Sequence, residues 1–417
     1  MGSDTVIRRL RIVFGDPVLV GAVMLLTAFG IAMIYSAGQL DVPDPGVVHI
    51  WRMQLLWWVI CIVALVVISR IQVRWFEWAA VPLYGFTILL LIAVLFIGVG
   101  HGTAKGTKQW IPLGPVSFQP SQFANLATIL LLGRVMGTWR EAPTSVFQLW
   151  KPVLVCAVPM LLVLAEPDLG VAIIFGAVMI ATLYWAGTPL GIMFMLISPM
   201  VALILAFQGW IFSAYMVGLI VFLYFYKSYL VEASVVVVAN LMAGTIAVPV
   251  WNHLKPYQKA RLTVFLDPTQ DPRGSGYHVI QSRVAIGSGG LLGKGFTMGT
   301  QKRLAFLPEQ STDFIFAVVG EEFGFIGALA VLVLFGLVLW RLARIAERVP
   351  DPFAGIVVFG IFGAWFAHVV ENIGMTVGVT PVTGIPLPFI SYGGSFLLAT
   401  YIALGIAERI STEQGKI

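Results

Sequence analysis

The stretch 306-FLPEQSTDFIFAVVGEEFG-324 places Glu309, Asp313, Glu321 and Glu322 at the mouth and in the upper half of an apolar run of membrane-span length. A carboxylate costs several kcal/mol in hydrocarbon, so such acids face a partner or a water-filled cavity. Asp313 stands where the chain enters the run, after Pro308 and Thr312. A helix N-terminus keeps a carboxylate there ionised, able to take a proton from a hydroxyl or to hold a cation. Thr312 or Asp313 can equally cap the helix. Glu321 lies eight residues further on, about 12 Å along a helix axis. Glu322 points about 100° away from it, and at least one of the two reads as a structural polar lock.

Three further clusters carry polar or helix-breaking residues. The first, 105-KGTKQWIPLGPVSFQPSQFAN-125, has Lys105, Lys108 and Trp110. The second, 165-AEPDLG-170, sets Glu166 and Asp168 on either side of Pro167. The third, 384-GIPLPFISYGGSFLL-398, breaks helix geometry at Pro386, Pro388 and Gly393-Gly394, with Ser391 and Tyr392 offering hydroxyls. Such breaks at membrane depth are tolerated only under protein or beside a wet cavity. The stretch 287-GSGGLLGKG-295 invites a phosphate-loop reading but fails G-x-x-x-x-G-K-[ST] at Ser288 and Gly295. It reads better as a tight connection whose amides can still bind an anion.

The elements that must position these residues are helices in lipid. The 417 residues are 59% hydrophobic and 11% charged, and mean hydropathy is +0.93, which excludes an ordinary soluble globule. Runs of about 20 apolar residues predict twelve spans: 17–36, 52–69, 78–98, 118–136, 152–166, 170–187, 190–207, 211–226, 232–250, 313–342, 354–376 and 391–408. The fold class expected is all-α, a polytopic membrane bundle forming one domain over 1–417. With both termini cytoplasmic, the arginines and lysines of short loops fall mostly inside, from Arg8, Arg9 and Arg11 to Arg409 and Lys416, as the positive-inside rule requires. Only Arg52, Lys105 and Lys108 fall in short outer loops. One long outer segment, about 251–312, carries eight basic residues including Lys294 and Arg303, a surface suited to an anionic ligand or to lipid headgroups. Part of it, 255–266, has near-helical apolar spacing and could lie flat among headgroups. All four clusters then share the outer side, a candidate cavity. Cys61 and Cys156 read as small hydrophobes, and the five histidines lack ligand spacing.

In chain order, "QWIPLGPVSFQPSQF", "EPDLGVAI", "FLPEQSTDFIFAVVGEEFGFIG", "NIGMTVG" and "TGIPLPFISYGGS" resemble the SEDS family (shape, elongation, division and sporulation). Within it, 256–296 resembles the rod-shape branch more closely than the division branch. The resemblance implies a peptidoglycan glycosyltransferase that polymerises lipid II at the outer face of the bacterial cytoplasmic membrane, beside a class B penicillin-binding protein, for elongation and rod shape. It places the family's essential acid at Asp313, its loop tryptophan at Trp110 and the acid of its P-D-L-G motif at Asp168. The sequence departs from the pattern in three places. Gln122 and Asn125 stand where the family has a Glu and Lys pair, and joint loss of a buried pair strands no charge. Lys108-Gln109 replaces an arginine. The family has ten spans, so 211–250 reads as an inserted hairpin.

Glycosyl transfer from a lipid diphosphate needs a base and positive charge for the leaving group. Asp313 is the expected base. Lys108, Lys294 and Arg303 are expected to meet the diphosphate, with Trp110, Asp168, Glu309, Ser391 and Tyr392 as further substrate contacts. A divalent cation, Mg or Mn, could share Asp313, although no dedicated ligand set is visible. No nucleic-acid partner is expected. Two alternatives are a lipid II flippase with a path along Glu321, Glu322, His368 and Glu371, and a scaffold that activates a penicillin-binding protein.

Overall fold

The computed structural model describes residues 15–42, 45–100, 108–114, 116–254, 275–307 and 309–414, with Lys259, 263–265 and Asp267 between them. Arg8, Arg9, Arg11, Lys105, Pro308, Lys416 and most of 255–274 lie outside the described residues.

All twelve predicted spans are helices: α1 Pro17–Ala37, α2 Ile50–Ile68, α3 Val73–Ile97, α4 Pro120–Met136, α5 Trp150–Ala165, α6 Leu169–Trp185, α7 Leu190–Leu205, α8 Gly209–Tyr226, α9 Leu230–His253, then α11 Ile315–Arg348, α12 Pro352–Val377 and α13 Gly394–Gln414. Eight of the stretches are long and apolar enough to cross a membrane unaided, which makes the chain an integral membrane protein. The helices α6 and α7 are apolar but have only 17 and 16 residues. The helix α4 buries Ser121, Gln122, Asn125 and Thr128 with its apolar residues; a helix enclosed by protein need not be apolar all round.

The all-α class holds, and three features add to it. A short two-stranded antiparallel hairpin, β1 Ile111–Leu113 with β2 Val116–Phe118, follows Trp110. The long outer segment holds a helix, α10, Ser275–Gly289. Its buried Val279, Ser282 and Ala285 recur every three residues, a stripe that packs on α11 and α12.

A break in α11 explains why four acids sit at the head of one membrane helix. The 34-residue α11 breaks at Gly324, with φ 62° and ψ −159°, a conformation essentially reserved for glycine. Beyond the break, 325–348 is about 24 residues and rises about 36 Å, enough for the roughly 30 Å of hydrocarbon. The half-helix 315–323 therefore adds to a span already complete. Ile315 to Glu322 are all buried in protein.

The glycine-rich loop splices this break. Lys294 N donates to Glu321 O (3.0 Å) and Gly295 N to Glu322 O (2.9 Å), while Phe325 N donates to Gly290 O (2.9 Å) and Ile326 N to Leu291 O (3.2 Å). Carbonyls ending one half-helix and amides starting the next thus find partners that a helix terminus lacks. A Cβ on Gly293 would stand 2.1 Å from Glu322 O, so glycine is required by contact as well as by its φ of 80°. The amides of Lys294 and Gly295 are spent on this splice, which corrects the anion-binding reading of the loop.

Candidate active site

Three of the four clusters converge. A Cβ on Gly170 would lie 3.1 Å from Thr383 Cβ, and one on Gly384 would lie 3.1 Å from Asp313 Oδ2. The 165–170 turn, the 383–393 loop and Asp313 therefore touch in sequence. Asp313 is half-buried. The N-cap position of α11 is Phe314, with no side-chain cap hydrogen bond, so Asp313 stands one residue outside the helix and is not its N-cap.

The backbone that carries Asp313 is clasped from two elements. Asn372 of α12 donates Nδ2 to Asp313 O (2.9 Å) and to Ile385 O (2.8 Å). Ser391 Oγ donates to Thr312 O (2.5 Å) and accepts from Leu387 N (2.9 Å). Tyr392 N donates to Ser311 O (2.9 Å). Gln54 of α2 holds the same loop by donating to Ser391 O (3.3 Å) and accepting from Gly393 N (3.2 Å). Ser391 is buried and its hydroxyl is occupied, so it supports the loop where a substrate contact was expected. Glu309 has φ 47° and its carbonyl accepts from Phe314 N (3.2 Å), turning the chain just before Asp313.

The cations expected at a diphosphate are each engaged. Lys294 Nζ pairs with Glu321 Oε1 at 2.8 Å. Arg303 pairs with Asp41 at 2.6 Å, both side chains remaining more than two-fifths exposed. Lys108 donates to Leu95 O (2.9 Å) near the C-terminal end of α3, where a cation suits the helix dipole. Glu321 also accepts from Gln301 N (2.9 Å), and Glu322 pairs with fully buried Lys302 at 2.7 Å. Both glutamates are polar locks.

Asp168 is buried and caps α6 by accepting from Val171 N (3.0 Å). Trp110 bridges to Val99. Glu166 is fully buried, and neither carboxylate oxygen has a hydrogen-bond partner among the described residues. Gln122 and Asn125 share a face, but Gln122 donates to Gln119 (3.3 Å) while Asn125 Nδ2 has no partner among the described residues. Both line a cavity of about 30 Å³ with His368 and Thr400, room for roughly two waters. His368 approaches Pro386 O (3.3 Å) and Glu371 accepts from Thr383 Oγ1 (3.0 Å). The acids proposed for a flippase path are thus closed by separate partners. Gln54, Lys302 and Asn372 were not singled out from the sequence; Asn372 lies in a quoted motif, and Lys302 carried no local signal.

Residues 17–224 and 200–416 match the family of FtsW, RodA and SpoVE, described as a cell cycle protein. The chain belongs to the FtsW/RodA/SpoVE family. It is 32% identical to the peptidoglycan glycosyltransferase RodA of Treponema pallidum over 96% of this chain and 98% of that one. It is 35% identical to the peptidoglycan glycosyltransferase MrdB of Escherichia coli over 96% and 94%. Among solved structures it resembles a chain of a peptidoglycan synthase complex that coordinates polymerization and crosslinking, with TM-score 0.68, 30% identity and coverage of 96% and 99%. It also resembles Thermus thermophilus RodA, with TM-score 0.62, 26% identity and coverage of 96% and 97%. The FtsW/RodA/SpoVE match includes every residue of the converging clusters.

Proposed function

We infer that the chain is a peptidoglycan glycosyltransferase that polymerises lipid II, with Asp313 as general base. The observation that carries this reading is the placement of Asp313: half-exposed, outside its helix, its backbone clasped by Asn372 and Ser391, against the 383–393 loop on which the 165–170 turn packs. In the step, the acceptor sugar's 4-hydroxyl oxygen forms a bond to the donor's anomeric carbon. The bond from that carbon to the phosphate oxygen breaks, the proton passes to an Asp313 carboxylate oxygen, and lipid diphosphate departs. Lys108 and Arg303 keep exposed donors that can meet the diphosphate, and Trp110 borders the same side. Among the described residues no group of three or more His, Cys, Asp or Glu is arranged to hold a metal ion.

The Asp313 face is read as the outer face of the cytoplasmic membrane, both termini as cytoplasmic, and a class B penicillin-binding protein as the crosslinking partner. Cys61 and Cys156 are buried, so introduced cysteines report orientation: one at Lys227 should label from inside and one at Val42 from outside. The deciding experiment is incubation of the purified chain with labelled lipid II. Glycan polymer supports the enzyme; lipid scrambling in vesicles without polymer, or no activity until a partner supplies it, overturns it.

A further inference from the structure

Lys302, Glu322 and Ser36 form a charged cluster with no exposed surface, and the chemistry at Asp313 does not use it. Lys302 Nζ donates to Ser36 Oγ (2.5 Å) and Ser36 O (2.6 Å) and pairs with Glu322 Oε1 (2.7 Å). Ser36 Oγ in turn donates to the Glu322 carboxylate (2.7 Å). We propose that this triad is the positioning device of the reaction, the set of residues that fixes where the Asp313 carboxylate stands; the proposal rests on the base role of Asp313.

Lys302 and Glu322 join the two ends of a chain segment in which Asp313 lies 11 residues after the lysine and nine before the glutamate. One end of that segment is also stapled to the end of α1. Lys302 grips Ser36 O, Gln310 Nε2 donates to Ala37 O (2.7 Å), and Arg303 holds Asp41. The other end is the half-helix whose exit is spliced by the glycine loop. Asp313 is thus suspended between two anchors that meet at one buried ion pair. Stability alone does not call for the pair, since apolar residues of similar volume commonly replace a buried ion pair at no loss of stability. What the charges supply is direction: every polar contact of Lys302 has one geometry.

The test compares the full-length chain with Lys302→Met/Glu322→Leu and with Glu322→Asp. The readouts are initial polymerisation rate against lipid II concentration, thermal melting, and hydrogen–deuterium exchange. The double variant should melt near the wild type yet lose about 10²-fold in kcat, the penalty for a reacting group about 1 Å out of place. KM should stay within about twofold, and exchange should rise in 304–314 while α12 is unchanged. A double variant that polymerises at the wild-type rate overturns the proposal, as does a loss confined to KM. Should the double variant not fold, Glu322→Asp keeps both charges and shortens the reach by one methylene; a folded Glu322→Asp protein with full kcat overturns the proposal equally. A wild-type chain that makes no polymer would instead overturn the glycosyltransferase reading, and the exchange comparison would still judge the triad.

Discussion

Every residue from Ile315 to Glu322 is buried, whereas α8 buries only Met216, Leu219 and Leu223, and α9 only Glu232, Val236, Asn240 and Ala247. The half-helix is held by protein on all sides: ion pairs at Glu321 and Glu322, backbone bonds at its exit and clasps around the residues that precede it. The hairpin is held chiefly by its surroundings, with Trp210, Tyr224 and Phe225 three-quarters or more exposed. Its few buried polar ties secure it to neighbours: Glu232 accepts from Val146 N (2.6 Å), and Asn240 donates to Ser198 Oγ (2.8 Å). One helical element is thus fixed in a single place by specific contacts, and the other is free to exchange one apolar neighbour for another. Chemistry that needs a carboxylate within a fraction of an ångström belongs on the first.

Four substitutions can break or sharpen that contrast. The largest effect is expected from Asp313→Asn, which keeps size and fold but cannot take a proton. Polymer formation should fall by roughly 10²–10⁴-fold with lipid II binding retained; polymerisation near the wild-type rate would remove the base role. Next is Gly324→Ala. Its Cβ would stand 2.4 Å from Gly293 N in a backbone region that strains other residues by about 1–3 kcal/mol. A lower melting temperature and weaker protection of 287–299 are expected, and an unchanged melt would show that the splice is soft.

The third substitution is Glu166→Gln, which replaces a fully buried carboxyl with no hydrogen-bond partner among the described residues by an amide of the same size. The variant should melt at or above the wild-type temperature, since an unsatisfied buried polar group costs about 1–3 kcal/mol; a clearly lower melt would mean that Glu166 has a partner in solution. The smallest effect belongs to Trp210→Ala in the hairpin, expected to change stability by no more than about 0.5 kcal/mol and polymer yield not at all. A collapse of polymerisation there would erase the distinction between the two regions.

The sequence displayed what is local. Span-length apolar runs placed all twelve helices, and Asp313, Asp168 and the 384–398 breaks were visible as polar or helix-breaking residues in apolar surroundings. The helix break was hidden because a lone glycine is tolerated in a helix at about 1 kcal/mol; only the approach of Gly293 and Leu291 shows why Gly324 ends one. The helix α10 was hidden because small residues, Ser282 and Ala285, form its buried stripe. The engagement of the cations was out of reach because their partners are distant: 27 residues separate Lys294 from Glu321, and 262 separate Arg303 from Asp41.

The grip on the end of α1 bears on the order in which the protein is built. Ser36 waits for Lys302 across 266 residues of chain, and Ala37 waits for Gln310 across 273. The end of α1 therefore keeps Ser36 Oγ and Ala37 O without these partners until the chain just before α11 is made. Such long-range closure is intrinsically slow. Assembly of the Asp313 anchorage then falls late in biogenesis, and a chain halted before Glu322 should insert its earlier helices yet never acquire the geometry on which catalysis depends.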